Sequence, residues 1–367
     1  MDRLRRFVGV FVPNTVCNLR CKYCYLQYCN ITKREFPKFN YTPDEFRKIM
    51  SQKRLGGVCM FNFTAEGETL LDPQMVDYIR AILEEGHYVE IITNATVTVA
   101  FERIAAFPRD LLDRVMFKCS FHYFELKERD LFDRFFSNIR MVRDAGASFT
   151  VELMPHDELI PFRQEIYDMC VREVGAPCHL TVARDASKPA ELPLLTKLSR
   201  EEYRNTWKMF DSKMFEFKLS VFEQKRSEFC YAGEWMMPFY MKTGRFAQCY
   251  RGCRTIDAVS NPDCSLKFKA IGHHCLSPHC WNAHAWMTFG CIPELETPRY
   301  DEMRNRVCKD GTEWLKPKFK AFVHQQFKEN NCQYTWFRKF MVDLEMALRS
   351  SRLVSMLKRL SWMLIKK

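Results

Sequence analysis

No apolar run in this chain reaches the length of a membrane-spanning helix, which argues against an integral membrane protein. A secretory signal is also lacking, because the apolar run at residues 7–12 is too short for one and ends at Pro13. We therefore expect a cytoplasmic protein, in which thiols stay reduced. At 367 residues the chain is long enough for about two domains.

The sequence contains no recognised nucleic-acid-binding module, so its net charge of +11 implies only nonspecific attraction to nucleic acid. Residues 334–367 contain eight Lys or Arg and two Asp or Glu. Apolar residues recur there at helical spacing, namely Phe337, Met341, Leu344, Leu348, Leu357 and Leu364. The pattern predicts a basic amphipathic helix over 334–367. It leaves three roles open: contact with an anionic membrane surface, contact with a partner, or packing against the chain itself.

Seventeen cysteines are present, and in a reducing compartment clustered cysteines indicate metal ligands rather than disulfides. Cys17, Cys21 and Cys24 form a C-x3-C-x2-C triplet directly after the first apolar run. Three thiolates on one short loop can bind three irons of a cubane cluster and leave the fourth iron without a protein ligand. Two alternatives stay open: a zinc site, which this spacing fits poorly, and a closed cluster in which Cys29 supplies the fourth thiolate.

With Tyr23 just before its last cysteine, the triplet resembles the signature of the radical S-adenosylmethionine (SAM) superfamily. The resemblance implies two cofactors, a 4Fe-4S cluster and SAM, and an enzyme that cleaves SAM reductively to a 5'-deoxyadenosyl radical. That radical takes hydrogen from a substrate, here a small molecule or a peptide that is oxidised or modified. An electron donor such as flavodoxin or ferredoxin is implied as a partner. The rival interpretation is a non-catalytic iron-sulfur electron carrier or a zinc-binding structural protein.

Strand-like and helix-like segments alternate between residue 7 and about residue 185, which predicts an α/β fold with a parallel sheet covered by helices. The candidate strands are 7–12, 58–63, 89–93, 115–121, 149–153 and 179–182. Helix starts are indicated at Thr42 and at Asp72-Pro73, and helix ends at Gly86, Gly146 and Gly175. The resemblance implies that residues 1–186 form a partial (β/α)6 barrel with the cysteine loop at its C-terminal mouth.

Residues at the ends of these strands also resemble family motifs. The segment 64–71 is similar to the family's G-G-E-P motif, with Glu66 and Thr69 replacing the first glycine and the proline. The resemblance implies that the SAM-contacting residues are Tyr23, Gly67, Glu68, Thr69, Asn94 and Ser120. Among them Glu68 would hold the ammonium group and Ser120 the ribose, while Tyr23 would contact the adenine through its backbone. Without the resemblance, Ser120 and His122 are equally well explained by strand alternation.

A second domain is predicted over residues 187–333, after a proline-dotted connector. Ser199 begins a capping box and a helix-like segment that runs to about Ser227. Cys230, Gly244 and Cys249 then have the spacing that opens the SPASM and twitch extensions, and the chain resembles the hairpin at the start of those extensions, with Gly244 in the turn. The C-x2-C-x5-C-x3-C block that completes a SPASM domain is absent from the sequence. We therefore expect a cysteine-rich α+β extension of the twitch type.

The twitch resemblance implies one auxiliary 4Fe-4S cluster, held by Cys230, Cys249, Cys275 and Cys280. Competing ligands stay open at Cys253, Cys264 and Cys291. A structural zinc site is the alternative, because His273, His274 and His279 lie in the same stretch. The remaining cysteines are expected to be mostly small buried apolar residues: Cys59, Cys119, Cys170, Cys178, Cys308 and Cys332.

Overall fold

The computed structural model describes residues 2–24, 35–36, 38–251 and 254–350. Two of the competing cysteines, Cys29 and Cys253, lie outside the described residues. So do Leu357 and Leu364 of the predicted C-terminal helix.

A nine-stranded sheet organises the described part of the chain. Its strands are β1 Arg6–Val12, β2 Cys59–Ala65, β3 Tyr88–Thr93, β4 Val115–Ser120, β5 Ser148–Leu153, β6 His179–Leu180, β7 Met236–Tyr240, β8 Arg245–Ala247 and β9 Thr255–Asp257. Their order in space is β6-β5-β4-β3-β2-β1-β7-β8-β9. Strands β1 to β6 are parallel, as predicted, and the six predicted positions agree with them to within about two residues. The α/β architecture is confirmed.

The sheet extends beyond the six predicted strands on the β1 side. Strand β7 pairs with β1 in parallel, with Phe7 opposite Met236 and Phe11 opposite Tyr240. Strands β8 and β9 continue as an antiparallel meander, and Gly244 has the positive φ of 63° that its turn needs. The hairpin predicted around Gly244 is therefore present, and it belongs to the same sheet as β1, the strand that precedes the cysteine loop.

Helices cover the sheet and build most of the C-terminal half. They are α1 Pro43–Ile49, α2 Gln52–Leu55, α3 Met75–Glu84, α4 Thr98–Ala105, α5 Arg109–Leu112, α6 Tyr123–Glu128, α7 Phe132–Ala145, α8 Arg163–Val174, α9 Arg200–Trp207, α10 Lys213–Val221, α11 Ala283–Trp286, α12 Tyr300–Arg304, α13 Pro317–Val323, α14 Phe327–Asn330 and α15 Trp336–Ser350. The capping boxes at Thr42 and Ser199 are formed, and Gly146 and Gly175 end α7 and α8 in the left-handed conformation. The start predicted at Pro73 is wrong by two residues, since Asp72 caps a turn through the Gln74 amide instead.

The single long helix predicted from Ser199 to about Ser227 is wrong. Helix α9 ends at Trp207, a short 3-10 turn follows, and α10 begins at Lys213. Asp211 between them has a left-handed φ of 43°, and the Ser212 hydroxyl accepts the Phe215 amide proton to cap α10. Aspartate and serine stabilise helix breaks of this kind because their side chains compete for backbone hydrogen bonds.

The inner face of the sheet changes character along the strands. On β2 the residues of this face are Met60, Asn62 and Thr64, and on β4 they are Met116, Lys118 and Ser120. Met60 and Met116 belong to a hydrophobic core that is completed by C-terminal residues such as Trp286 and Phe289. The face thus carries an apolar layer, then a polar and charged layer, and then residues that line a cavity at the carboxyl ends of the strands.

Helix α15 contacts the rest of the chain through Val342 and Met346, which are buried. Its other apolar side chains are exposed, at Trp336, Phe337, Phe340, Met341, Leu344 and Leu348. The predicted stripe therefore does not pack against the described part of the chain. In that part, no helix is both long and apolar enough to cross a bilayer.

Candidate functional site

A cavity of about 810 Å³ lies at the carboxyl ends of the parallel strands. Its walls include all nine residues that the sequence assigned to the N-terminal site: Cys17, Cys21, Tyr23, Cys24, Gly67, Glu68, Thr69, Asn94 and Ser120. They come from the loop after β1, the loop after β2, the end of β3 and the end of β4. The sheet therefore brings together residues that are up to about a hundred positions apart in sequence, as parallel strands do at their carboxyl ends.

The cysteine loop is held against the loop after β2 by backbone contacts. The Gly67 amide donates to the Asn14 carbonyl at 2.7 Å, and the Glu68 amide donates to the Val16 carbonyl at 2.9 Å. A Cβ atom on residue 67 would lie 2.2 Å from the Val16 carbonyl oxygen. Because that atom belongs to the backbone and cannot swing away, only glycine permits this approach.

Glu68 is buried and joins two loops of the site. Its carboxylate accepts hydrogen bonds from the Leu70 amide at 3.0 Å, the Thr93 hydroxyl at 2.6 Å and the Asn94 amide at 2.7 Å. Burial raises the pKa of this carboxyl, although the three hydrogen bonds act in the opposite direction. The side chain thus fixes the ends of β2 and β3 relative to each other, and its role toward an ammonium group stays a prediction.

A polar network joins the cysteine loop to the end of β3. The side-chain amide of Asn94 donates to the side-chain oxygen of Asn18 at 2.8 Å, and the side-chain amide of Asn18 donates to the Thr96 hydroxyl at 2.7 Å. Between them Ala95 has a left-handed φ of 56°, a backbone conformation that favours glycine. The Asn138 side chain supports the turn by donating to the Ala95 carbonyl at 2.9 Å.

Tyr23 is enclosed by two histidines. Its hydroxyl lies 2.7 Å from Nδ1 of His122, and its ring centroid lies 5.1 Å from that of His156. Burial lowers the pKa of His122 to about 4, so this ring is neutral at physiological pH. His122 therefore positions the tyrosine of the cysteine motif, a role that strand alternation does not explain.

The surroundings of the three cysteine thiols disfavour their thiolate forms unless a bound metal compensates the negative charge. Burial first, and then the nearby Glu125, Cys17 and Cys24, together raise the pKa of Cys21 to about 12. Metal coordination reverses such a shift, because a bound metal favours the deprotonated thiol. In the described ranges no three His, Cys or acidic side chains stand close enough as they are to hold a metal ion.

A second group of thiols lies around the β7–β8 hairpin. The side chains of Cys230 and Cys291 are in hydrogen-bonding contact, and Cys291 is buried. Electrostatic coupling also links Cys230 to Cys249, Cys275 and Cys280. The structure thus gathers the four predicted auxiliary ligands and adds Cys291 to them.

The other candidates for that second site are exposed or contact other side chains. Cys264 is exposed, and both His273 and His274 approach the carboxylate of Asp343, His273 at 2.7 Å. His279 is buried and its ring centroid lies 4.4 Å from that of Phe222. Of the scattered cysteines, Cys59, Cys119, Cys170 and Cys178 are buried as expected, Cys308 is half-buried and Cys332 is exposed.

Several cavity residues were not found from the sequence, among them Met154, Arg184 and Trp281. Met154 directly follows β5, so the rule that placed Ser120 could have found it. Arg184 and Trp281 lie in irregular segments with no periodicity, and their place in the site is set by tertiary packing alone.

Residues 11–159 match the family model described as Radical SAM superfamily. A 7-carboxy-7-deazaguanine synthase of Thermoplasma acidophilum is 30% identical to this chain over 90 residues, which are 24% of this chain and 39% of that protein. The chain thus aligns with well under half the length of that relative.

Two solved structures are similar to this chain at a lower level of sequence identity. One is Streptococcus suis SuiB bound to S-adenosylmethionine, with 14% identity, a TM-score of 0.49 and coverage of 71% of this chain and 64% of that one. The other is native anSMEcpe with bound AdoMet, with 12% identity, a TM-score of 0.47 and coverage of 96% of this chain and 100% of that one. The family match contains the three cysteines of the first loop and the Glu68 segment.

Proposed function

We propose that the chain is a radical SAM enzyme that cleaves SAM reductively and transfers the radical to a substrate bound in the 810 Å³ cavity. The observation that carries the proposal is the convergence of three loop cysteines, Glu68, Asn94 and Ser120 on that one cavity. The substrate is a small molecule or a peptide, and flavodoxin or ferredoxin is proposed as the electron donor. The outcome is oxidation or C–H modification of that substrate.

In this proposal Cys17, Cys21 and Cys24 hold a 4Fe-4S cluster, which supplies one electron to SAM when it is bound there. The chain's own residues bind and orient SAM. Glu68 and the backbone beside it receive the ammonium group, Ser120 contacts the ribose, and Tyr23 is held in place by its hydrogen bond to His122.

The decisive experiment replaces Cys21 with alanine in the reconstituted, reduced protein. We expect wild-type protein to form 5'-deoxyadenosine from SAM. The variant should lose this activity by at least about a hundredfold, since a ligand of the cluster is gone. Formation of 5'-deoxyadenosine is measured by liquid chromatography.

Cys332→Ala is the matched control, because Cys332 is exposed and outside the cavity. It should retain wild-type activity and iron content. A wild-type protein that binds iron but yields no 5'-deoxyadenosine, or a Cys21→Ala variant that yields as much as wild type, contradicts the proposal. The carrier or zinc-protein interpretation would then stand.

We also propose that the chain from residue 187 onward forms a twitch-like domain with one auxiliary 4Fe-4S cluster. Support comes from the five thiols around the β7–β8 hairpin, among which Cys230 is coupled to each of the others. Its contact with Cys291 makes Cys291 a competitor of Cys275 for the fourth ligand position.

Iron analysis tests the auxiliary cluster. We expect about eight irons per wild-type chain and about four after Cys230→Ala, with the SAM-cleaving cluster retained. Comparing Cys275→Ala with Cys291→Ala identifies the fourth ligand, because only its loss lowers the iron content. An unchanged iron content in Cys230→Ala, or one equivalent of zinc in the wild type, rejects the second cluster.

A further inference from the structure

Positive charge exceeds negative charge beneath the cavity. The carboxylates of Glu90 and Glu152 are buried on the inner face of the sheet. Four basic side chains lie around them: Lys118, Arg184, Lys218 and Arg304. Buried charges of one sign are costly unless an opposite charge compensates them.

The two carboxylates are already engaged. Glu152 lies 3.5 Å from Lys118 and 3.4 Å from Arg304, so it serves two cations at once. Glu90 accepts hydrogen bonds from Asn62 and Tyr300, and burial raises the pKa of its carboxyl, which favours the neutral form. The acids of this layer therefore compensate Lys118 and Arg304 only.

Arg184 is the member of the group that reaches the cavity. It donates one hydrogen bond, from Nη1 to the Trp281 carbonyl at 3.2 Å, and within the described ranges no carboxylate forms an ion pair with it. Lys218 lies behind, buried and bonded to the Thr181 hydroxyl, and burial lowers its pKa, which favours the neutral form, so that among the described residues Arg184 is the uncompensated cation of the group. An arginine stays protonated in proteins and carries five N–H donors in a planar fork. Most of the donors of Arg184 are therefore available to a ligand in the cavity.

The wall around Arg184 is rigid. The Arg251 guanidinium lies 4.7 Å from the centroid of the Trp281 ring and donates to the Ala190 carbonyl at 2.6 Å. The backbone of residue 184 is bridged to Leu194. Arg184 is therefore held in position before any ligand arrives, which lowers the entropic cost of binding.

We propose that Arg184 binds an oxyanion group of the substrate, a carboxylate or a phosphate, inside the cavity that also contains the three loop cysteines. The proposal rests on the proposed function, because it names a chemical group of the substrate of that cavity. Bidentate pairing with the guanidinium would place the anion next to Trp281 and leave the rest of the substrate to extend across the cavity.

The test uses reconstituted full-length protein saturated with SAM, titrated calorimetrically with inorganic phosphate and, separately, with pyruvate. We expect at least one probe to bind saturably. Arg184→Gln should weaken that binding by about tenfold or more, and Arg184→Lys should weaken it less, because it keeps the charge but loses the fork. Arg204→Gln is the control: it removes the same charge from an exposed ion pair between Arg204 on α9 and Glu216 on α10.

Three results overturn the proposal. One is a wild-type protein that binds neither probe. Another is equal binding of the probe by the wild type and Arg184→Gln or, if the glutamine variant does not fold, by Arg184→Lys. The third is a variant that loses affinity for SAM while the probe binds as before, which assigns Arg184 to the SAM carboxylate. Because 5'-deoxyadenosine is assayed separately, anion binding at Arg184 without SAM cleavage would reject the proposed function and leave the anion site standing.

Discussion

Gly67 shows how much one residue can decide in this site. Its lack of a side chain lets the loop after β2 touch the backbone of the cysteine loop, and the two hydrogen bonds formed there fix the cysteines relative to Glu68. The sequence motif indicated that residue 67 matters. The reason, a backbone carbonyl 2.2 Å from where a Cβ would lie, is visible only in three dimensions.

Gly67→Ala should therefore separate the two loops. We expect it to destabilise the fold by about 1–3 kcal/mol, the usual cost of forcing extra atoms into a packed site, and to lower the iron bound per chain. Urea unfolding and iron analysis measure the two effects. Gly9→Ala is the matched control, since a Cβ there would meet its nearest neighbours at 3.9–4.0 Å. Similar results for both variants would show that the close approach is unimportant.

Individual residues of the site were predictable where a strand end or a motif marked them. Ser120 and Asn94 follow this rule, and both line the cavity. Arg184 could not be predicted, because its significance depends on which charges surround it, and those charges come from strands and helices far apart in the chain. For His122 the sequence indicates only its place in the strand alternation, whereas its contact with Tyr23 is visible only in the structure.

At the scale of elements, local chemistry decided most of what the sequence predicted correctly. Capping residues and C-terminal glycines act over a few positions, so the starts of α1 and α9 and the ends of α7 and α8 were readable. The break between α9 and α10 was missed because an apolar periodicity continues across it, while Ser212 caps a new helix.

Strand β7 was the least predictable element in its pairing. Its residues lie more than two hundred positions from β1, and no local pattern tells which edge of the sheet a strand will join. The hairpin with β8 was predicted from its turn, whereas the parallel pairing with β1 was not. The consequence is that one continuous ladder of hydrogen bonds connects the strand before the cysteine loop with the hairpin of the second thiol group.

At the scale of the whole molecule, buried histidines set the response to acid. Burial lowers the pKa of His87 to about 4, and it also lowers the pKa of His156, His179 and His284. In the unfolded chain these groups titrate near 6.5, so between pH 6.5 and 4 the unfolded state binds more protons than the folded state does. The contribution of these histidines to stability is therefore fully present above about pH 6.5 and is lost as the pH falls toward 4.

His87→Asn isolates one of these contributions. His87 accepts the Cys59 amide proton at 3.1 Å, and its Nε2 lies 2.8 Å from the Met50 carbonyl. We expect the wild type to lose about 3 kcal/mol through this group between pH 6.5 and 4 and the variant to lose correspondingly less. Urea unfolding midpoints across that range measure the difference. His324→Asn, at a half-exposed site, is the control, and a variant with the wild-type pH dependence would contradict the argument.

The layered inner face of the sheet has a last consequence. Beneath the cysteines the cavity is bounded by the inner face of the sheet. A layer of ionic and polar side chains comes first, and a layer of packed methionine and aromatic side chains follows. A molecule that reaches the cysteines cannot leave by passing onward between the strands. In the described part of the chain, this layer closes the cavity on the side opposite to the carboxyl ends of the strands, so that a ligand reaches the cysteines from the carboxyl-end side.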